Sequence, residues 1–203
     1  ITQMERQFRE ALDGLHLETH PGQPRLQARM KAYALAARMQ LSASDALDLS
    51  QESEAIHDLY GIGQEPTDSY GRRCLYARRL VERGVRFVQL FIDNQIWDNH
   101  TDLSGGLKGA CERTDRPIAA LLKDLKQRGL LDSTLVIWGG EFGRLPIAQL
   151  PGDKDASKAG RDHNKNAMVT WMAGGGVRGG ISHGSTDDLL SLIHISEPTR
   201  RRT

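Results

Sequence analysis

One piece of grammar constrains this chain more than any other, because it occurs twice. Asp68 is placed to cap a helix running through Cys74, Leu75, Leu80 and Val81, Gly84 stands where a left-handed C-terminal residue would end it, and the strand formers VRFVQLFI (Val85 to Ile92) follow at once. Downstream, Pro117, Ile118, Leu121, Leu122 and Leu125 keep helical spacing, Gly129 closes the segment, and TLVIW (Thr134 to Trp138) reads as strand. A third strand candidate, AMVTWMA (Ala167 to Ala173), runs into three glycines. Alternation of this kind predicts an α/β fold with a mainly parallel central sheet covered by helices.

The first third of the chain reads as helix. Met4, Phe8, Leu12 and Leu15 share one helical face from the outset. The chain opens on Ile1-Thr2-Gln3 inside this pattern, which predicts a natural start further upstream. Pro24 suits a helix start, and Leu26, Met30, Tyr33, Ala34, Ala37 and Leu41 predict a second, core-facing helix. Ser44 to Leu59 reads as short helices, with Ser44 a candidate cap, and Gly61, Gly63 and Pro66 break the pattern.

Composition narrows the functional classes. With 203 residues, 38% hydrophobic and 26% charged, there is material for one substantial core. The net charge of +1 supplies no field that would gather nucleic acid, and no apolar run approaches the length of a membrane span. Two cysteines, Cys74 and Cys111, lack the spacing of a disulfide framework or a thiolate zinc site, and read as free thiols.

Ligands of open parallel sheets bind beyond the carboxyl ends of the strands. Acids and histidines collect at those places. Past the first strand comes DNQIWDNH with Asp93, Asp98 and His100; past the second, GGEFGR with Glu141 and Arg144; just before the third, GRDHN with Asp162 and His163. Asp98 and His100 stand two apart, so in extended chain they leave on one face and can reach one ion. Asp162 and His163 would diverge, one to a metal and the other to a supporting bond, and His163 is the expected ligand. Glycines around Glu141 would let backbone approach an ion or an anion closely. Asp98, His100, Glu141 and His163 thus form a candidate metal set whose oxygen and nitrogen mixture suits zinc or manganese better than calcium. Each of them taken alone is more often a solvated or capping residue. Arg144 is open to two readings, a clamp on a bound anion or a salt bridge to a nearby acid.

One decoy is set aside. Gly174, Gly176 and Gly179 spell the spacing of a dinucleotide fingerprint, but no helical pattern follows to aim an N-terminus at a pyrophosphate. The oxidoreductase reading has no other support.

Taken in order, WDNH, IAALLKDLKQRGLLDSTLVIWGGEFGR, GRDHN and MAGGGVRGG resemble the bacterial sulfatase-like proteins grouped as DUF1501, within the alkaline phosphatase superfamily, over about Leu26 to Asp188. The resemblance implies a partial alkaline-phosphatase-like α/β/α sandwich over residues 1–190, with metal ligands at Asp98, His100, Glu141 and His163. It also implies metal-dependent hydrolysis of a small anionic sulfate or phosphate ester. An acidic ligand and the nucleophile belong upstream of Ile1 in such proteins, so the fragment by itself is expected to be inactive, and kinship implies an exported, periplasmic parent. Leu145 departs from the family's usual Thr after the Arg. The ending LSLIHISEPTRRRT is similar to translated sequencing-adapter read-through, so residues 191–203 are expected to be a non-native tail, which removes His194 and Arg200 to Arg202 from consideration. A rival reading is a non-catalytic binding or scaffold protein that kept the fold.

Overall fold

A computed structural model of the chain describes residues 3–140, 142–188 and 193–194. It divides into two compact units, Ile1–Glu52 and Ser53–Thr203.

The first unit is helical. α1 spans Gln3–Thr19 and α2 spans Pro24–Leu47, with Pro24 in the first turn, where a missing N–H costs nothing. α2 runs through Ser44 instead of restarting there; the restart comes at the 3-10 turn Leu49–Gln51, for which Asp48 supplies the cap by accepting from Ser50 N. The stripe Met4, Phe8, Leu12 and Leu15 stays exposed on α1, as does Tyr33 on the helix expected to face a core.

The second unit has its core among three helices. α3 (Glu54–Tyr60) is capped by Ser53, whose Oγ accepts from Ile56 N, and ends at Gly61 in the left-handed region. α4 (Asp68–Glu82) ends as the sequence predicts, with Gly84 at φ +84. α5 (Leu103–Gln127) starts fourteen residues before Pro117 because Asp102 caps it, accepting from Gly105 N; the proline lies inside the helix and is buried. Tyr60, Cys74, Leu75, Ala77, Ala110, Ala120, Leu121 and Leu125 form the core between these helices. Each fully buried leucine contributes about 1.5–3 kcal/mol. Burial pushes the Cys74 thiol up to about 12, so it is an inert core residue at neutral pH.

Inside this core the charges are paired. Asp124 accepts from the Tyr60 hydroxyl at 3.0 Å and from Arg128 Nε at 2.7 Å, and Arg78 Nε lies 3.0 Å away as an ion pair. Arg78 Nη1 also donates to Glu82 at 2.6 Å. Burial, with the neighbouring Asp124 adding to it, raises the Tyr60 pKa above its ordinary value.

The strands overturn the expected α/β/α sandwich with its parallel sheet. About 49% of the chain is helical, and among the described residues the strands form only two-stranded antiparallel ladders. β1 (Leu135–Gly139) pairs with β4 (Thr170–Gly174), placing Trp138 opposite Trp171. β2 (Gly143–Arg144) pairs with β3 (His163–Asn164), and β5 (Ser185–Thr186) with β6 (Ile193–His194). The reason lies in the connections. Parallel neighbours need a crossover that carries the chain back to the starting end, usually a helix, and between β1 and β4 there is only β2, the 3-10 turn Ala156–Lys158 and β3. The one helix that could serve as a crossover, α5, follows Val85 to Ile92, and that segment joins no ladder despite its strand-forming composition. Instead Arg73 ties it to α4, donating to the Phe91 carbonyl at 2.6 Å and to Asp93 at 2.5 Å. Leu135, Ile137, Trp138, Trp171 and Met172 of the β1–β4 ladder stay exposed, with the Trp97 ring set edgewise against Trp138 at 5.6 Å.

Of the expected tail, 191–203, only the backbone of Ile193–His194 falls within the described residues.

Candidate metal centre

Three of the four expected ligands meet. Asp98, His100 and His163 each present one ligand atom, and these lie within 4.8 Å of one another. Glu141, the fourth, lies outside the described residues.

Local structure explains how they meet. Asp98 and His100 do not sit in a strand: Asp98 N donates to the Gln95 carbonyl at 2.9 Å and His100 N to the Asp98 carbonyl at 3.2 Å, a tight fold that keeps both side chains on one side. His163 comes from β3, directly opposite Arg144 on β2, so a single ladder rung delivers a histidine and an arginine together. A second set of backbone bonds clamps the 158–161 segment onto the 99–103 segment: Asp102 N to Lys158 O at 2.8 Å, Leu103 N to Ala159 O at 3.0 Å, and Arg161 N to Asn99 O at 3.0 Å. Gly160 lies within this clamp. A Cβ there would fall on the backbone of His100 and Asn99, so the approach requires glycine.

The cluster centres on one oxygen. Asp98 Oδ1 stands 2.6 Å from Arg144 Nη1, 2.9 Å from His163 Nε2 and 3.1 Å from His100 Nε2. These contacts, led by the hydrogen bond to His163 and followed by Arg144, hold the Asp98 carboxyl below the usual aspartate range despite its partial burial. The two imidazoles lie with ring centroids 4.7 Å apart, and Phe142 packs edgewise on His163, also at 4.7 Å. Arg144 forms a salt bridge, as one of its two readings expects, and the acid is Asp98.

The donor set fits a small divalent cation. Ligand atoms bound at 2.0–2.2 Å in a tetrahedral site stand about 3.3–3.6 Å apart. The Oδ1 to Nε2 separations of 2.9 and 3.1 Å need only roughly half an ångström of opening to match that geometry. One carboxylate and two imidazoles also suit zinc, manganese or iron chemistry better than calcium. Asp162 behaves as the supporting member of its pair. Its Oδ1 accepts from His163 N at 2.7 Å and stands 3.8 Å from His100 Nδ1. Asp93 is turned away, paired with Arg73.

A match to one family model decides kinship: the family is described as a protein of unknown function, DUF1501, and the match covers residues 2–195. The chain belongs to the DUF1501 family. No curated protein and no solved structure matches it. In this DUF1501 chain every described member of the expected ligand set is therefore placed by its own geometry.

Two neighbours escaped the sequence reading. Gln149 Oε1 stands 2.8 Å from His100 Nδ1, and Gly160 forms two backbone bonds of 2.9 Å with Gln149. A signal for both was present. The segment between them, LPGDKDASKA, is rich in turn formers, and a turn-rich excursion flanked by two extended residues implies that those residues pair.

Proposed function

We propose that this chain is part of a divalent-metal-dependent hydrolase acting on sulfate or phosphate esters, with Asp98, His100 and His163 as metal ligands and Glu141 as the fourth. The observation that carries the reading is the convergence of Asp98, His100 and His163, which are separated by up to 65 residues, on one point with separations near those of a metal shell. The superfamily resemblance of the WDNH, GGEFGR and GRDHN segments supports the ester class. A bound zinc or manganese ion would supply Lewis acidity toward an ester oxygen. The protein's part is to hold the two imidazoles and the carboxylate, and to keep the positive Arg144 beside them, where its remaining guanidinium surface would favour a bound anion. The substrate is then a small anionic ester and, by the same kinship, the protein is exported.

A second reading has its own observation. Asp98 Oδ1 already accepts from Arg144 and His163, so the cluster is also intelligible as a self-sufficient polar clamp in a non-catalytic binding protein. Equilibrium dialysis against zinc and manganese separates the two. The hydrolase reading expects about one ion per chain, lost in Asp98→Ala and His163→Ala and weakened in Glu141→Ala. It also expects turnover of aryl sulfate or phosphate esters by the full-length protein, abolished by the same substitutions. Metal uptake that ignores all three substitutions would remove the site; uptake without turnover in the longer chain would leave the binding protein.

A further inference from the structure

The surroundings of the His100 ring carry information beyond its role as a ligand. Its Nδ1 faces two acceptors, the Gln149 amide oxygen at 2.8 Å and Asp162 Oδ1 at 3.8 Å. Its Nε2 faces a third, Asp98 Oδ1 at 3.1 Å. A neutral imidazole has one N–H and one lone pair, so it cannot donate in both directions. The shorter contact and the second negative group both lie on the Nδ1 side. Asp98, by contrast, is already supplied with donors by Arg144 at 2.6 Å and His163 at 2.9 Å. The proton therefore belongs on Nδ1, and the lone pair on Nε2 points toward the carboxylate. Two acceptor lone pairs face each other across that gap, an arrangement that a cation between them relieves.

From this geometry we infer that Gln149 is a positioning residue: its amide oxygen holds His100 in the Nδ1–H tautomer and so presents Nε2 as a metal-ready lone pair. The inference rests on the metal-site reading for its purpose, though not for its geometry. Gln149 is suited to the task because its backbone is fixed. Its N–H donates to Gly160 O and its carbonyl accepts from Gly160 N, both at 2.9 Å, and Gly160 is the residue pressed against the His100 backbone. The side chain that orients the ring and the strand pair that supports the ring are thus one unit. An outer acceptor that fixes a ligating histidine commonly changes metal affinity by about 10- to 100-fold.

The test has two readouts. Long-range proton–nitrogen NMR on histidine-labelled, metal-free chain at about pH 8.5, roughly two units above the ordinary imidazole pKa, reports the tautomer directly. His100 is assigned by its loss in His100→Gln. The expected result is Nδ1–H in the wild type and in Gln149→Glu, where a carboxylate oxygen replaces the amide oxygen, and a shift to Nε2–H in Gln149→Leu. In parallel, zinc affinity should fall at least about tenfold in Gln149→Leu and stay near wild type in Gln149→Glu. An Nε2–H ring in the wild type, or a tautomer indifferent to Gln149→Leu, overturns the inference. Absence of zinc binding in the wild type overturns the metal-site reading instead, and the NMR result still decides the role of Gln149.

Discussion

Two aspartates in the second unit each gather a ring of donors, and they do so in opposite settings. Asp124 is 2% exposed inside the three-helix core, with Arg78, Arg128 and Tyr60 around it. Asp98 keeps a quarter of its side chain exposed, and its neighbours Arg144, His100 and His163 come from turns and short ladders. Around Asp124 the geometry is largely inherited from helices: Arg128 is four residues along α5, and Arg78 and Glu82 are one turn apart on α4. Around Asp98 only His100 is local, two residues along, while Arg144 and His163 are 46 and 65 residues distant and share one rung of the β2–β3 ladder. The first arrangement is a paired core; the second gathers its side chains at a partly exposed surface.

The comparison can be broken at its strong end first. Asp124→Leu leaves the Arg78 guanidinium buried without its aspartate and should cost about 3–5 kcal/mol, read as a fall in the urea midpoint of unfolding. A loss below about 1 kcal/mol would mean that the core does not depend on this charge pairing. Gly160→Ala tests the other side. The added methyl group collides with the His100 and Asn99 backbone, and should cost about 1–3 kcal/mol locally while lowering zinc affinity well beyond that of a neutral surface variant. If Gly160→Ala binds zinc as the wild type does, the clamp is not what forms the site.

The smallest effect is on pH dependence. The folded-state pKa of Asp98 is depressed, so its contribution is fully present above the unfolded value near 3.9, declines as pH falls through the lower folded value, and is gone below both. Asp98→Asn should therefore remove a contribution of about 1 kcal/mol or less that the wild type holds above roughly pH 4 and loses below it, visible as a shallower loss of stability on acidification. An acid-unfolding profile identical to wild type would show that the Asp98 contacts contribute nothing to folding.

The carboxyl ends of α4 and α5 were legible in the amino-acid order, their starts less so. Gly84 and Gly129 fall where left-handed residues terminate α4 and α5, because that conformational preference acts within a single turn of chain. The members of the Asp98, His100 and His163 cluster were legible too, through the two-residue spacing of Asp98 and His100 and the Asp162-His163 pair. Strand direction was not. Val85 to Ile92 has the composition of a strand and finds no ladder, because composition gives a segment's fitness for pleated structure while a partner must come from distant chain. Nor could the order of residues show that Arg144 would spend its charge on Asp98, or that Gln149 would meet the His100 ring 49 positions away. Propensities and caps act through neighbours in sequence, so the chain alone determined its helices and its stock of metal-binding side chains. Which of those side chains share an oxygen, and which ring nitrogen faces an acceptor, depends on loop closures and ladder rungs between remote segments, and only the tertiary structure decided it.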